Sequence, residues 1–421
     1  MKIRLITAFW YGLGLAASAA HAVEGRHSGV VRLFAGPATF QTCALTADAR
    51  ISCWGGNYPS VPDPQNVDGL DVTAVSLGRN FSCALVRDGR VFCWGDNSKG
   101  QLGTMSAHVD PKPVQYFGSD FGSVAQISAG EEYVCVRRQD TTAWCWGDSK
   151  YGQVGNFNVG IGAYTSQPIQ VIIHDDKASP PNPPLTGIAD ISAGIRHACA
   201  LLADHTGACW GNDQDGELGN VKYRPNFDSP QTVYVQNGSG YVSLVMGGGS
   251  IVAGGYHTCG LINDDLVDSV GCWGLNDYGE LGDGTLTEVA SAHPAQDERG
   301  KIKDAFQVAL GEYFTCGVVA DATVRCWGSN AHYQMANPTV GLGAAQKTGI
   351  TALAENGTPL NHVIQLVAGA RHACVLQSTG AVRCWGDNQY QQLGSFTGTQ
   401  TNVPQSISID APIFTDNFDG N

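Results

Sequence analysis

The chain has 421 residues, of which 38 are Asp or Glu and 24 are Lys or Arg, giving a formal net charge of −14 at pH 7. So acidic a chain repels phosphate backbones and anionic headgroups, which removes nucleic acid and anionic membranes from its expected partners. Only 15% of the residues are charged while 54 are glycine, a balance that suits many short strands joined by tight turns rather than helices.

The first expected element is a leader. Lys2 and Arg4 precede an apolar stretch from Leu5 to Ala20, and Ala20-His21-Ala22 is a small-x-small cleavage site. This is the layout of a secretory signal peptide cleaved after Ala22. The apolar run is shorter than the roughly 20 residues of a spanning helix. Residues 1–22 are therefore expected to be removed, leaving 23–421 as a single soluble domain, secreted or periplasmic, with no membrane insertion.

Beyond the leader the chain repeats. The cysteines form seven pairs: Cys43 and Cys53, Cys83 and Cys93, Cys135 and Cys145, Cys199 and Cys209, Cys259 and Cys272, Cys316 and Cys326, Cys374 and Cys384. The second member always opens Cys-Trp-Gly, with Trp54, Trp94, Trp146, Trp210, Trp273, Trp327 and Trp385. Recurrence at about 55 residues marks a solenoid or a propeller.

The second copy shows the local structure. Between Phe81 and Gly95, apolar residues flank Arg87-Asp88-Gly89, a hairpin turn signal. With Cys83 opposite Cys93, Leu85 faces Val91, while Phe92 and Trp94 point to the other side. Both faces are apolar, so both must be covered, as they are in stacked blades. Opposed cysteines on antiparallel strands lie within disulfide reach, and an even count in an exported chain supports seven intra-hairpin disulfides. Zinc favours Cys-x-x-Cys pairs, and the sequence has none.

Upstream of each hairpin an apolar strand ends in glycine, as in Ile127-Ser-Ala-Gly130 and Ile191-Ser-Ala-Gly194. Downstream comes a second turn, as in Asn97-Ser-Lys-Gly-Gln-Leu-Gly103 and Asp277-Tyr-Gly-Glu-Leu-Gly282, then often a Pro-led strand, as at Pro113, Pro168 and Pro230. These residues resemble the regulator of chromosome condensation repeat. Two copies depart from it: the first lacks Gly-Gln-Leu-Gly after Asn57, and the sixth reads His332-Tyr-Gln-Met-Ala336. The resemblance implies an all-β, seven-bladed β-propeller with four antiparallel strands per blade. The chain starts mid-repeat at Val30-Val-Arg-Leu33 and ends with Pro404-Gln-Ser-Ile-Ser-Ile409. The expectation is therefore a ring closed by pairing of N- and C-terminal strands, which removes exposed edges.

His197, His257 and His372 each stand two residues before a blade's first cysteine, where other copies carry Phe81, Tyr133, Phe314 and Gln41. A shared planar ring favours packing or a local hydrogen bond over a metal site, and no metal or cofactor is expected. Between the glycine and that ring lies a variable pair that repetition would set in a circle on one face. Its polar and aromatic members, Arg79, Asn80, Glu131, Glu132, Arg196, Tyr256, Glu312, Tyr313 and Arg371, are the candidate binding residues, with plain solvation as the alternative. The fifth hairpin carries Asp264, Asp265 and Asp268, without the ligand spacing of a calcium loop. The long connections at 156–190, 220–249 and 336–362 are expected to be functional or disordered.

No catalytic motif is present: no Gly-x-Ser-x-Gly elbow, no His-Glu-x-x-His, no phosphate loop. The expected function is binding: a monomeric interaction or inhibitor module that holds a protein partner on one rigid face. The secreted β-lactamase inhibitory propellers of the wider family have this architecture. The alternatives are guanine-nucleotide exchange, as in the family's founding nuclear member, and a propeller enzyme or glycan binder.

Overall fold

The computed structural model describes residues 29–407 apart from 49, 57–69, 107, 176, 180, 223–224, 238–239, 245, 265–266 and 395–396. The expected leader, Asn57, Asp265 and the last two residues of the Pro404–Ile409 segment lie outside the described residues. Among those described there is no helix, and the strands form seven blades around a central channel.

Blade 3 gives the pattern: Val124–Ala129, Tyr133–Arg138, Ala143–Ser149 and Ala163–Gln170 pair antiparallel in chain order, from the channel outward. Five other blades repeat it, at 72–113, 188–232, 246–294, 305–351 and 363–407. Blade 1 comprises Val30–Phe34, Gln41–Thr46 and Ile51–Gly55 among the described residues. In every blade the two cysteines stand opposite each other on the second and third strands, and their sulfurs lie at bonding distance. These seven disulfide-spaced pairs suit an oxidising compartment.

The tryptophan of Cys-Trp-Gly explains why that tripeptide recurs. All seven indoles are fully buried. The indole N–H donates to the carbonyl of the Gln or Glu in the preceding blade's second turn: Trp146 to Gln101, Trp210 to Gln153, Trp273 to Glu217, Trp327 to Glu280 and Trp385 to Gln334, at 2.7–3.0 Å. The glycine that follows permits the approach of the neighbouring turn. Gly147 has φ +105, and a Cβ there would lie 2.5 Å from the Glu132 carbonyl oxygen. The register between third and outer strands shifts at this glycine in each four-stranded blade.

The long connections are built structure. Each contains the outer strand of its blade: Ala163–Gln170, Asn226–Thr232 and Ala345–Thr351. Two hairpins between blades also reach forward. Tyr234–Asn237 pairs with Gly240–Ser243 and lies parallel to the outer strand of blade 5, and Gln296–Asp297 with Gly300–Lys301 does the same at blade 6.

Ring closure differs from the expectation. The C-terminal strand Gln400–Ile407 pairs with Val382–Asp387 of its own blade, and among the described residues it does not pair with the N-terminal strand Val30–Phe34. Each Pro-led strand among the described residues pairs with the Cys-Trp-Gly strand that precedes it in the chain, because consecutive elements tend to be neighbours in space. Its proline sits on an outer strand, where a missing N–H is tolerated. The ring closes instead by blade packing: Leu33, Ala44 and Trp54 of blade 1 lie against Leu376, Val382 and Leu393 of blade 7. The Gln365 side-chain amide completes the joint by bonding both backbone groups of Leu33.

Candidate binding face

After the inner strand of blades 2 to 7 the chain passes through a glycine and two further residues before the second strand begins, whereas in blade 1 four residues separate Gly36 from Gln41. The ring two residues before the cysteine folds back over that glycine. At Gly369 a Cβ would occupy the space of the His372 imidazole. Of the two residues between, the polar and aromatic members reach the channel mouth, while Ile195 and Ala370 stay buried. Backbone bonds then fix them from blade to blade: Arg79 N donates to Glu131 O at 3.1 Å, Ile195 N to Gly254 O at 3.0 Å, Glu312 N to Ala370 O at 2.9 Å and Ala370 N to Thr39 O at 2.8 Å.

The side chains form a chain of contacts around the mouth. Arg79 pairs with Glu131, and Glu131 also lies 3.8 Å from Arg196. The Arg196 guanidinium sits over Tyr151 at 5.1 Å and Tyr256 at 5.4 Å. Tyr256 stacks on Tyr313 at 5.3 Å, and Tyr313 meets the edge of Tyr278 at 5.7 Å. Glu312, beside Tyr313, bonds Arg371 at 3.3 Å, and Arg371 covers Phe40, which packs on Tyr390 at 5.1 Å. These contacts join seven of the nine residues singled out from the sequence, and Glu132 stands beside Glu131 without a side-chain contact of this kind. Asn80 is half-buried on the same kind of strand end, and its carbonyl accepts from Asp96 N.

Four aromatic members were not singled out: Phe40, Tyr151, Tyr278 and Tyr390. The three tyrosines occupy one repeat position, in the turn before Gln153, Glu280 and Gln392, and each of those acceptors takes a bond from the backbone two residues back. The signal was there in the repeat. A turn position on one blade meets the strand-end residue of the next, as in Tyr151 with Arg196 and Tyr278 with Tyr313.

Burial of the face tunes its acids. Burial, reinforced by Glu131, holds the Glu132 carboxyl above its ordinary range. Burial likewise raises the phenols of Tyr256 and Tyr313, so both stay neutral donors. The three histidines lie beneath the face and are not gathered into one site. The Nε2 of His197, His257 and His372 bonds Thr258, Thr315 and Thr42 of the next blade at 2.7–2.8 Å. Thr258 and Thr315 spend their own protons on Glu217 O and Glu280 O, so His197 and His257 carry hydrogen on Nε2. Burial lowers all three imidazoles to about 3 and keeps them neutral. Small side chains such as Ser76, Ser128, Ser192 and Ala309 line the channel.

The repeat pattern has a match among protein families. A family model of the Regulator of chromosome condensation (RCC1) repeat matches residues 72–101, 124–153, 307–334 and 363–392, and a second model of that repeat matches 88–137. These stretches of the chain are regulator of chromosome condensation repeats. Among curated proteins it is similar to the ultraviolet-B receptor UVR8 of Arabidopsis thaliana, 28% identical over 237 residues that cover 56% of this chain and 48% of the receptor. It is also similar to the probable E3 ubiquitin-protein ligase HERC6 of Homo sapiens, 27% identical over 69% of this chain and 26% of the ligase. The matches thus span about half of the first relative and a quarter of the second. Two solved structures share the fold. Human WBSCR16 has a TM-score of 0.64 at 18% identity, over 80% of this chain and 83% of that one. Prp20p from Saccharomyces cerevisiae has a TM-score of 0.61 at 19% identity, over 81% of this chain and 78% of that one. At such identities the regulator of chromosome condensation propeller is shared as a fold alone.

Proposed function

We propose that this propeller is an exported protein-binding module that docks a partner on the channel-mouth face, as an interaction or inhibitor protein, without chemistry of its own. The observation that carries this reading is the two runs of charged and aromatic side-chain contacts along the rim, Arg79 to Tyr278 and Glu312 to Tyr390. Aromatic and arginine side chains are the residue types that dominate binding energy at interfaces. Stapled blades hold them in place beforehand, which lowers the ordering cost of association. Export is supported by the leader-like residues 1–22 and the seven cysteine pairs, and the mature chain is read as one monomeric domain.

Guanine-nucleotide exchange is the second reading. Its support is the fold shared with Prp20p, whose structure is described together with its binding properties to Gsp1p and histones. Paired cysteines and a leader both count against a nuclear or cytosolic exchange factor. The experiment is a pull-down with oxidised protein, followed by hydrogen exchange on the isolated complex. Protection is expected at 131–132, 195–196, 256, 312–313 and 371. Protection confined to the outer edges or the opposite end of the channel would contradict the proposal.

A further inference from the structure

The hairpin at 296–301 reaches over blade 6, and a cleft of about 480 Å³ opens between the two. Arg299, Lys301, Lys303 and Arg325 line it together with Asp297. Four cations thus face one carboxylate, in a chain whose net charge is −14. The apolar side chains of Ile302 and Val319 complete the wall. Val319 ends the second strand of blade 6, whose first residue, Phe314, follows the rim residues Glu312 and Tyr313. The cleft therefore lies at the other end of the blade from the rim.

Arg325 is the departure from the repeat. It stands one residue before Cys326, where five other blades carry Ser52, Phe92, Trp144, Ala208 and Gly271, so blade packing asks for no charge there. Blade 7 carries Arg383 at this position, half-buried, and Gln377 accepts from its Nε at 3.1 Å. The Arg325 side chain is only 2% exposed. Its Nη1 donates to Thr323 Oγ1 at 2.9 Å, but its Nε, 3.5 Å from Asp297 Oδ2, has no hydrogen-bond partner. Burying a guanidinium is costly unless its donors are met. Gly349 leaves the room for it: a Cβ there would lie 2.9 Å from Ile302 Cδ1 and 3.4 Å from Arg325 Cβ. Two further carboxylates nearby are engaged, Glu298 with Arg299 at 3.5 Å and Asp321 with the Thr323 hydroxyl.

We propose that this cleft binds a small organic anion of at least two negative charges, its oxyanion group toward Arg325 and its carbon skeleton against Ile302 and Val319. A planar guanidinium suits bidentate recognition of phosphate or carboxylate. The exposed cations Arg299, Lys301 and Lys303 raise the local concentration of a dianion more than that of a monoanion. The site is separate from the rim and stands or falls without it.

The test is calorimetric titration of the full oxidised chain with phenyl phosphate, isophthalate and benzoate. At least one of the two dianions should bind saturably with a Kd of about 1 mM or tighter, and their ratio tells phosphate from carboxylate recognition. Benzoate should bind at least about fivefold more weakly than the better dianion. Arg325→Met should weaken that dianion about tenfold or more. Because this change also removes the contact with Asp297, Lys301→Gln/Lys303→Gln, at two exposed positions, is the second variant. It should weaken binding about threefold or more at an unchanged melting temperature. Lys112→Gln/Lys177→Gln, exposed on other blades, should change binding less than about 1.5-fold. Neither dianion bound at about 1 mM, benzoate bound as tightly as the dianions, or equal losses in the two lysine pairs would each overturn the proposal.

Discussion

Gln365 and Leu33, 332 residues apart, close the ring: the Gln365 amide donates to Leu33 O at 2.8 Å and accepts from Leu33 N at 2.8 Å. A side-chain amide carries a donor and an acceptor side by side, so it can satisfy one residue of a neighbouring strand edge as a further strand would. The device recurs at blades 3 and 6, where Gln126 bonds Ile191 and Gln307 bonds Leu366 in the same two-way manner. Gln365→Ala should cost about 1–3 kcal/mol, because it orphans two partly buried backbone groups. Gln365→Glu keeps the acceptor, loses the donor and should also destabilise. Thermal melts check both, and an unchanged midpoint for Gln365→Ala would remove the amide from ring closure.

The indole bonds predict an ordering among tryptophan variants. Trp146 has an acceptor in Gln101 O, whereas Trp54 Nε1 finds none among the described residues. Trp146→Phe should therefore lose a buried hydrogen bond that Trp54→Phe does not, about 1 kcal/mol more. Either residue changed to Ala should cost about 3–5 kcal/mol through the cavity left between blades. Denaturant midpoints of the four variants give the comparison.

Stability should peak in mildly acidic solution. Burial lowers the three histidines to about 3 in the folded chain, against the ordinary 6.5 when unfolded. Between these values the unfolded chain binds the extra protons, so their contribution is lost as pH falls below about 6.5. Glu217 and Glu280 behave oppositely, because burial raises both to about 8 from a model value of 4.5. Their contribution is present below about 4.5 and lost as pH rises through about 8. Three groups against two place the maximum about pH 6. Glutamine occupies the same position in other blades, at Gln101, Gln153, Gln334 and Gln392. Glu217→Gln/Glu280→Gln should therefore flatten the alkaline limb of a melting-temperature profile and steepen the rise between about pH 4.5 and 6.5.

The cysteine pairs make a simple demand. Intact mass of the unreduced protein should show no free thiol, and peptide mapping should join only partners within a blade. Removing one pair, as in Cys83→Ala/Cys93→Ala, should cost about 2–3 kcal/mol for a loop of this size.

The blade was legible because every interface poses the same packing problem. A tryptophan seeking a carbonyl, a glycine allowing a close turn and two opposed cysteines leave one local pattern each time. Closure was misread because Pro404–Ile409 has the composition of a strand that precedes an inner strand, while its actual partner is fixed by local connection. The Gln365–Leu33 joint has no local signal, although the third position of the inner strands repeats Gln at 126, 307 and 365. The binding face was read in half. The strand-end residues stood out through their variability, but their contacts come from turn tyrosines on the preceding blade, a pairing that only the stacking of blades creates.

The central claim is that the channel-mouth face does the binding. Tyr256→Ala/Tyr313→Ala/Arg371→Ala removes the stacked ring pair and the arginine over Phe40 without touching a disulfide or an inter-blade tryptophan. The measurement is the Kd of this variant for the protein captured by wild type, with melting temperature recorded beside it. Affinity should fall at least about tenfold, equivalent to about 1.4 kcal/mol, while the fold is retained. An unchanged Kd in a folded variant would contradict the claim and assign binding to another surface.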